Sequence, residues 1–306
     1  MPNDTNVVCL VCGDTSPSLR YQITRFQVLE CTACRQIYLD PLPDEQEIHD
    51  LFAELYATGG GSVPELKSYY GFCYDDSPSN PLVQLYESWL DKIEARHEPG
   101  RILDVGSGTG LFLAIAKRRG WDVYGIDGSV EATDYAREHF GLDLWTGEFE
   151  DFKSRGERFD VITGWDIIEH SRDPVSLLKA MRDCLSPNGS VVLSTPDQHS
   201  VLDVLAGAFY RLTGGRSTRA LEKFYIEQHF LYFTGATLGQ AFERAGLRVR
   251  SIEPEVTDLR RLTLNPVMRL ILVAMFAVAK QTGLENRILA MASLDDADPS
   301  IDRMEA

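Results

Sequence analysis

Arg101-Ile102-Leu103-Asp104-Val105-Gly106-Ser107-Gly108-Thr109-Gly110 decides the fold: an apolar strand runs into an acidic residue, and three glycines follow in alternation. Alternate glycines let the chain turn tightly out of a strand and remove the Cβ atoms that would block a ligand. They also present amide N–H groups at the start of the next helix, Leu111 to Arg119. This is a nucleotide-binding turn of an α/β protein. A dinucleotide turn, G-x-G-x-x-G, would need its third glycine where Leu111 stands, whereas here it comes one residue early, at Gly110.

Three later segments keep the pattern. Trp121-Asp122-Val123-Tyr124-Gly125-Ile126-Asp127 is an apolar run ending on a carboxylate, where doubly wound folds bind a ribose. Arg158-Phe159-Asp160-Val161-Ile162-Thr163-Gly164-Trp165-Asp166-Ile167-Ile168-Glu169-His170 reads as a further strand and an acidic turn. Leu185 to Pro196 gives a helix end, a Pro-Asn-Gly turn and a buried strand. Taken in order, these segments resemble the motifs of the class I S-adenosylmethionine-dependent methyltransferases over about residues 100–254. Asn188 and Asp197 depart from the family's L-x-P-G-G and T-P-N patterns.

The resemblance implies a Rossmann-like, seven-stranded α/β sheet with helices on both faces and S-adenosylmethionine as cofactor. Asp104, Gly106, Gly108 and Gly110 would form the first cofactor turn, and Asp127 would accept from both ribose hydroxyls. Glu148 would accept from the adenine amino group, with Phe149 in the same turn and Trp165 on the methyl side. The D-x-x-E-H segment then offers Asp166, Glu169 and His170.

Cys9-x-x-Cys12 and Cys31-x-x-Cys34, separated by eighteen residues, form the second strong signal. Two such knuckles at this spacing favour a tetrahedral four-thiolate Zn2+ site over a rubredoxin-like iron site or redox disulfides. All four positions would be filled by protein, so the zinc would be structural. A zinc ribbon ahead of a methyltransferase core resembles the bacterial sugar C-methyltransferases, and methyltransferases related to the ubiquinone-type O-methyltransferases. Ribosomal-RNA guanine methyltransferases also carry ribbons, but theirs use a closer-spaced Cys and His ligand set.

The charge balance, 30 Lys+Arg against 46 Asp+Glu, gives −16 and disfavours a polyanionic substrate, so nucleic acid is excluded as a partner. No apolar leader follows the first residues, and the expected compartment is the cytoplasm. The reading divides the chain into a ribbon at 1–40, a helical linker and cap at 41–98, a methyltransferase core at 99–256 with a substrate-side insertion at 198–234, and a helical C-terminal extension with an acidic tail at 257–306.

Residues 40–65 carry seven carboxylates and no Lys or Arg, the pattern of a solvated helix face. Tyr69 to Tyr74 is an aromatic cluster that either lines the acceptor pocket or packs under the ribbon. In the insertion, Arg211, Arg216, Arg219 and Lys223 make a basic patch suited to an anionic acceptor, or simply a solvated loop. The apolar run Val267 to Ala279 is too short to span a bilayer. It is expected to pack on the core or across a homodimer interface, with a membrane or a lipid-like substrate as the alternative.

Methyl transfer from a sulfonium needs an in-line nucleophile and, for a hydroxyl or an acidic C–H, a base. His229 and His170 rank above His199 for that role, with structural hydrogen bonding the competing reading for each, and Asp166 would orient a histidine or the acceptor. The expected reaction is methyl transfer to a small, sugar-like or anionic acceptor, on oxygen before carbon. A silent cofactor-binding domain serving a protein partner is the alternative from another class.

Overall fold

The computed structural model describes residues 7–42, 70–226 and 228–294, together with 44, 46, 50, 51, 54 and 55. Most of the acidic run at 40–65, together with Tyr69, Glu227 and the tail from 295, lies outside the described residues.

The N-terminal part forms β1 (Pro17–Gln22), β2 (Gln27–Cys31) and β3 (Ile37–Asp40). The core opens with α1 (Pro81–Glu94), β4 (Arg101–Val105), α2 (Leu111–Arg118), β5 (Asp122–Asp127) and α3 (Val130–Phe140). It continues through β6 (Trp145–Thr146), α4 (Phe149–Lys153), β7 (Phe159–Trp165), α5 (Pro174–Asp183) and β8 (Leu185–Pro196). After it come α6 (Val201–Leu212), β9 (Leu231–Tyr232), α7 (Gly235–Arg244), β10 (Arg248–Glu255), α8 (Pro266–Thr282) and β11 (Arg287–Ser293).

Seven strands form the central sheet in the order β10-β11-β8-β7-β4-β5-β6. The five from β8 to β6 run parallel, while β11 is antiparallel to both of its neighbours. Alternation along the strands explains the two helical layers, because successive side chains point to opposite faces. Ile102, Val161, Val192 and Leu289 pack with Trp89, Phe112 and Ala136 from α1, α2 and α3. Their neighbours Leu103, Ile162, Val191 and Ala290 pack with Phe152, Met181 and Phe242 from α4, α5 and α7.

Two elements run across the expected boundaries. The central sheet runs on past residue 256: Arg287–Ser293, buried along its whole length, is the strand between β8 and β10, and before it Leu259–Arg261 forms a short 3-10 turn and Pro266–Thr282 a helix. The ribbon is not a separate unit. Its sheet is β1-β2-β3-β9, and β9 belongs to the insertion. Tyr21, Val28 and Leu39 of the ribbon share a core with Ala206, Leu221 and Tyr225 of the insertion, and Arg20 reaches Asp203 at 2.7 Å.

Packing on the core, one of the two placements expected for the apolar run near the C-terminus, is limited to Phe276 and Ala279 of α8. Among the described residues no helix is long and apolar enough to cross a membrane.

Candidate functional site

The turn after β4 uses each of its three glycines. Gly106, Gly108 and Gly110 all take left-handed φ values, 72°, 52° and 76°, which L side chains rarely adopt. A Cβ on Gly106 would stand 2.5 Å from Ile167 Cγ2, so the turn lies directly against the segment that follows β7. The amides of Gly106 and Ser107 donate to Ile126 O at 2.8 and 2.9 Å, fastening the turn to the end of β5.

Asp127 ends β5 with both carboxylate oxygens facing backbone amides. Oδ2 accepts from Gly108 N at 2.7 Å and Oδ1 from Ser129 N at 2.8 Å. Each oxygen keeps a lone pair for a further donor, such as a hydroxyl. Burial raises its pKa, against the two amides that lower it. The next turn joins the same place, since Gly147 N donates to Asp127 O at 3.0 Å. Glu148 stands exposed at the start of α4, and Phe149 beside it is buried.

Asp104 lies deeper, fully buried beneath the turn, where Thr163 Oγ1 donates to its Oδ1 at 2.6 Å. Trp165 ends β7 and stacks on Trp89 with ring centroids 4.4 Å apart, Phe112 meeting it edge-on at 4.9 Å. Its indole Nε1 is buried without a partner among the described residues. The aromatic segment before α1 covers the glycine turn: Thr109 Oγ1 donates to Cys73 O at 2.6 Å, and Tyr135 OH to Tyr74 O at 3.0 Å.

Beyond β7 the backbone turns sharply, with Asp166 at φ 55°. Non-glycine residues hold such conformations only where their surroundings fix them. Here Asp166 N donates to Ser194 O at 2.9 Å, and Arg287 Nη2 donates to Asp166 Oδ1 at 2.5 Å and to Ser194 Oγ at 2.7 Å. Asp166, expected at the chemistry, is thus a carboxylate anchored by a buried guanidinium. The sequence reading missed Arg287, although the apolar run Ile288 to Ala292 after it carries the signature of a buried strand.

The next residues converge. Glu169, His170 and His229 each offer one donor atom, and the three atoms lie within 4.8 Å of one another. The two imidazoles meet edge to face at 4.8 Å between centroids, and His170 Nδ1 lies 2.5 Å from Gln228 O. Accepting that bond, the carbonyl places the proton on Nδ1 and leaves Nε2 as a base or ligand. Burial lowers the pKa of His170 and pushes that of His229 down to about 3, with neighbouring His170 adding to it. Burial and the Asp166 charge push Glu169 up to about 8, and its Oε1 has no partner among the described residues while Oε2 accepts from Thr195 at 2.8 Å. His199 is exposed and stands apart.

The four ribbon cysteines come together as expected. Cys9 and Cys34 Sγ are 3.5 Å apart, as are Cys12 and Cys31, and all four sulfurs lie within 4.8 Å of one another. Sulfurs around a tetrahedral zinc stand about 3.8 Å apart, so the cluster fits a structural Zn2+ without an open position. Gly13 and Arg35 take matching left-handed φ values, 77° and 68°, one in each knuckle. Beside the knuckles, the ribbon, the segment after β8 and the start of α7 border a cavity of about 660 Å³ that includes Arg20, Arg35, Asp197, His199 and Arg211.

A strand-ordered sheet of this kind, with a triple-glycine turn and a carboxylate at the end of the next strand, defines a class I S-adenosylmethionine-dependent methyltransferase. The family model described as "Methyltransferase domain" matches residues 82–252, and the chain belongs to that family, with S-adenosylmethionine as its cofactor. The ubiquinone biosynthesis O-methyltransferase of Xanthomonas axonopodis pv. citri (strain 306) is 34% identical over 145 residues, 44% of this chain and 61% of the relative. That of Cereibacter sphaeroides is 38% identical over 100 residues, 31% of this chain and 40% of the relative. The match therefore spans less than two thirds of either relative's length. The counterpart in Hahella chejuensis is 29% identical over 208 residues, 63% of this chain and 80% of the relative. Among solved structures, the magnesium protoporphyrin IX methyltransferase of Synechocystis PCC 6803, with bound SAH, has a TM-score of 0.52 at 15% identity. It covers 82% of this chain and 100% of its own, a likeness of fold.

Proposed function

We propose that the protein transfers the methyl group of S-adenosylmethionine to a hydroxyl oxygen of a small-molecule acceptor. The observation that carries this reading is the convergence within 4.8 Å of His229 from the insertion with Glu169 and His170, which stand on the segment whose Ile167 abuts Gly106 of the glycine turn. Asp127 would hold the ribose, Glu148 and Phe149 would border the adenine, and Trp165 would close the methyl side. With the cofactor bound, His229 before His170 would take the acceptor hydroxyl's proton as its oxygen accepts the methyl group in line, S-adenosylhomocysteine being the product released. A divalent cation held by the same three donors would lower the hydroxyl's pKa instead, and the unpartnered Glu169 Oε1 favours this as a second reading.

The relatives' names specify O-methylation, which supports oxygen over carbon. A polar, sugar-like acceptor suits the cavity, where Arg20, Arg35 and Arg211 stand with Glu30, Asp197 and Asp203. His229→Ala is expected to lower kcat about 10²- to 10⁴-fold while leaving the affinity for S-adenosylmethionine unchanged. Asp127→Ala abolishes both. Undiminished turnover in His229→Ala and in His170→Ala, each assayed with and without added Mg2+, would remove the base and the cation readings together. A protein that binds the cofactor yet turns over no acceptor would be the silent domain.

A further inference from the structure

Ten of the fourteen large apolar side chains that stand exposed among the described residues are on two helices, α6 and α8. The helices are neighbours, with Val201 N at the start of α6 donating to Leu284 O just beyond α8 at 2.9 Å. Helical spacing sorts each into an inner and an outer face. On α8, Phe276 and Ala279 face the body, while Val267, Leu270, Ile271, Ala274, Ala277 and Val278 form the outer face, and all six are exposed. On α6, Ala206 and Gly207 are buried, while Val204, Leu205, Phe209 and Leu212 point outward, Leu212 at 86% exposure. A soluble surface helix has the opposite pattern, and an apolar face this continuous marks an interaction surface.

The charges choose the occupant. In a chain of net charge −16, α8 contains Arg269 and Lys280 and no carboxylate. The only acid of α6, Asp203, is buried against Arg20, and its exposed charge is Arg211, followed by Arg216, Arg219 and Lys223 against the single carboxylate Glu222. A twofold contact between two copies of this face would set these cations against themselves. The acidic segment from 295 to 306, five carboxylates with scattered apolar residues, has no apolar stretch to cover the face. An anionic lipid surface offers both an apolar layer and negative headgroups.

We propose that α6 and α8 lie side by side in the surface of an anionic membrane, their outer faces among the acyl chains. At 17 residues α8 is about 25 Å long, suited to lying in the interface. Both helices stand at the rim of the functional site, because α6 follows the C-terminal end of β8 and α8 leads into Arg287 at the same edge of the sheet. Docking therefore turns that rim toward the bilayer, and an acceptor with an apolar tail could reach the site without crossing water. This last consequence rests on the proposed methyl transfer; the docking does not.

Flotation of the full chain with vesicles tests it. The protein is expected to float with phosphatidylcholine vesicles containing phosphatidylglycerol, less with phosphatidylcholine alone, and less again at raised salt. Leu270→Glu and Leu212→Glu should each weaken the binding by about tenfold or more. Both sites are exposed, so the variants keep the parent's melting temperature and its S-adenosylmethionine binding by calorimetry. Absence of flotation with either vesicle would overturn the proposal. So would a dimer in sedimentation equilibrium that Leu270→Glu dissociates, which would give the face to a second copy.

Discussion

Asp104 shows how one buried residue links the glycine turn to stability. Burial pushes its carboxyl up to about 7, the Asp127 charge adding to this and the Thr163 hydrogen bond opposing it. A carboxyl whose folded pKa exceeds its unfolded value binds its proton more tightly in the native state. Its contribution is present below the unfolded pKa and is lost as pH rises through the folded one, here between about pH 4 and about pH 7. Asp104→Asn keeps the shape and the Thr163 contact without the charge. Urea unfolding at about pH 5 and about pH 8 should therefore show the wild type losing on the order of 3 kcal/mol more than the variant across that range. Equal losses would mean that Asp104 is ionised throughout. At this scale the sequence displayed the acid and the glycines, because their spacing is a local signal. It could not display Asp166's partner, because Arg287 is brought there by a strand 121 residues later in the chain.

Among the elements, the ribbon and the insertion depend on one another. Cys9, Cys12, Cys31 and Cys34 were legible from spacing alone, since four thiolates at knuckle separation leave few other uses. The partner of the ribbon sheet was not legible: β9 is two residues long, and its pairing of Tyr232 with Ile37 is carried by backbone bonds to β3. His229 stands just before β9, so the zinc site indirectly positions one of the three converging donors. Metal analysis should find one zinc per chain. Its removal by a chelator, or Cys31→Ser, should lower the melting temperature. Turnover should fall by about tenfold or more, with S-adenosylmethionine affinity close to unchanged because the glycine turn lies on other strands. A metal-free protein of full activity would confine the ribbon to a role away from the site.

For the whole molecule, the order of the sheet decides what the chain can lose. The five parallel strands follow one another as strand, helix and strand, a rhythm that periodicity and glycine turns expose in sequence. The seventh strand breaks that rhythm, entering between β8 and β10 after an exposed helix, which is why the periodicity points to a boundary at 256 ahead of it. Every residue from Arg287 to Ser293 is buried, and β11 pairs with β8 on one side and β10 on the other. Removing it uncovers apolar side chains worth about 1.5 kcal/mol or more apiece for the larger ones and leaves two strands without a common neighbour. Asp166 also loses the guanidinium that anchors it. Set against a net stability of about 5–15 kcal/mol, this removal is enough to unfold the core. A chain ending at residue 256 is accordingly expected to express without a cooperative thermal transition and without cofactor binding, whereas one ending at Leu294 retains all seven strands and both properties. A folded, cofactor-binding product from the shorter chain would show that β10 can pair with β8 directly.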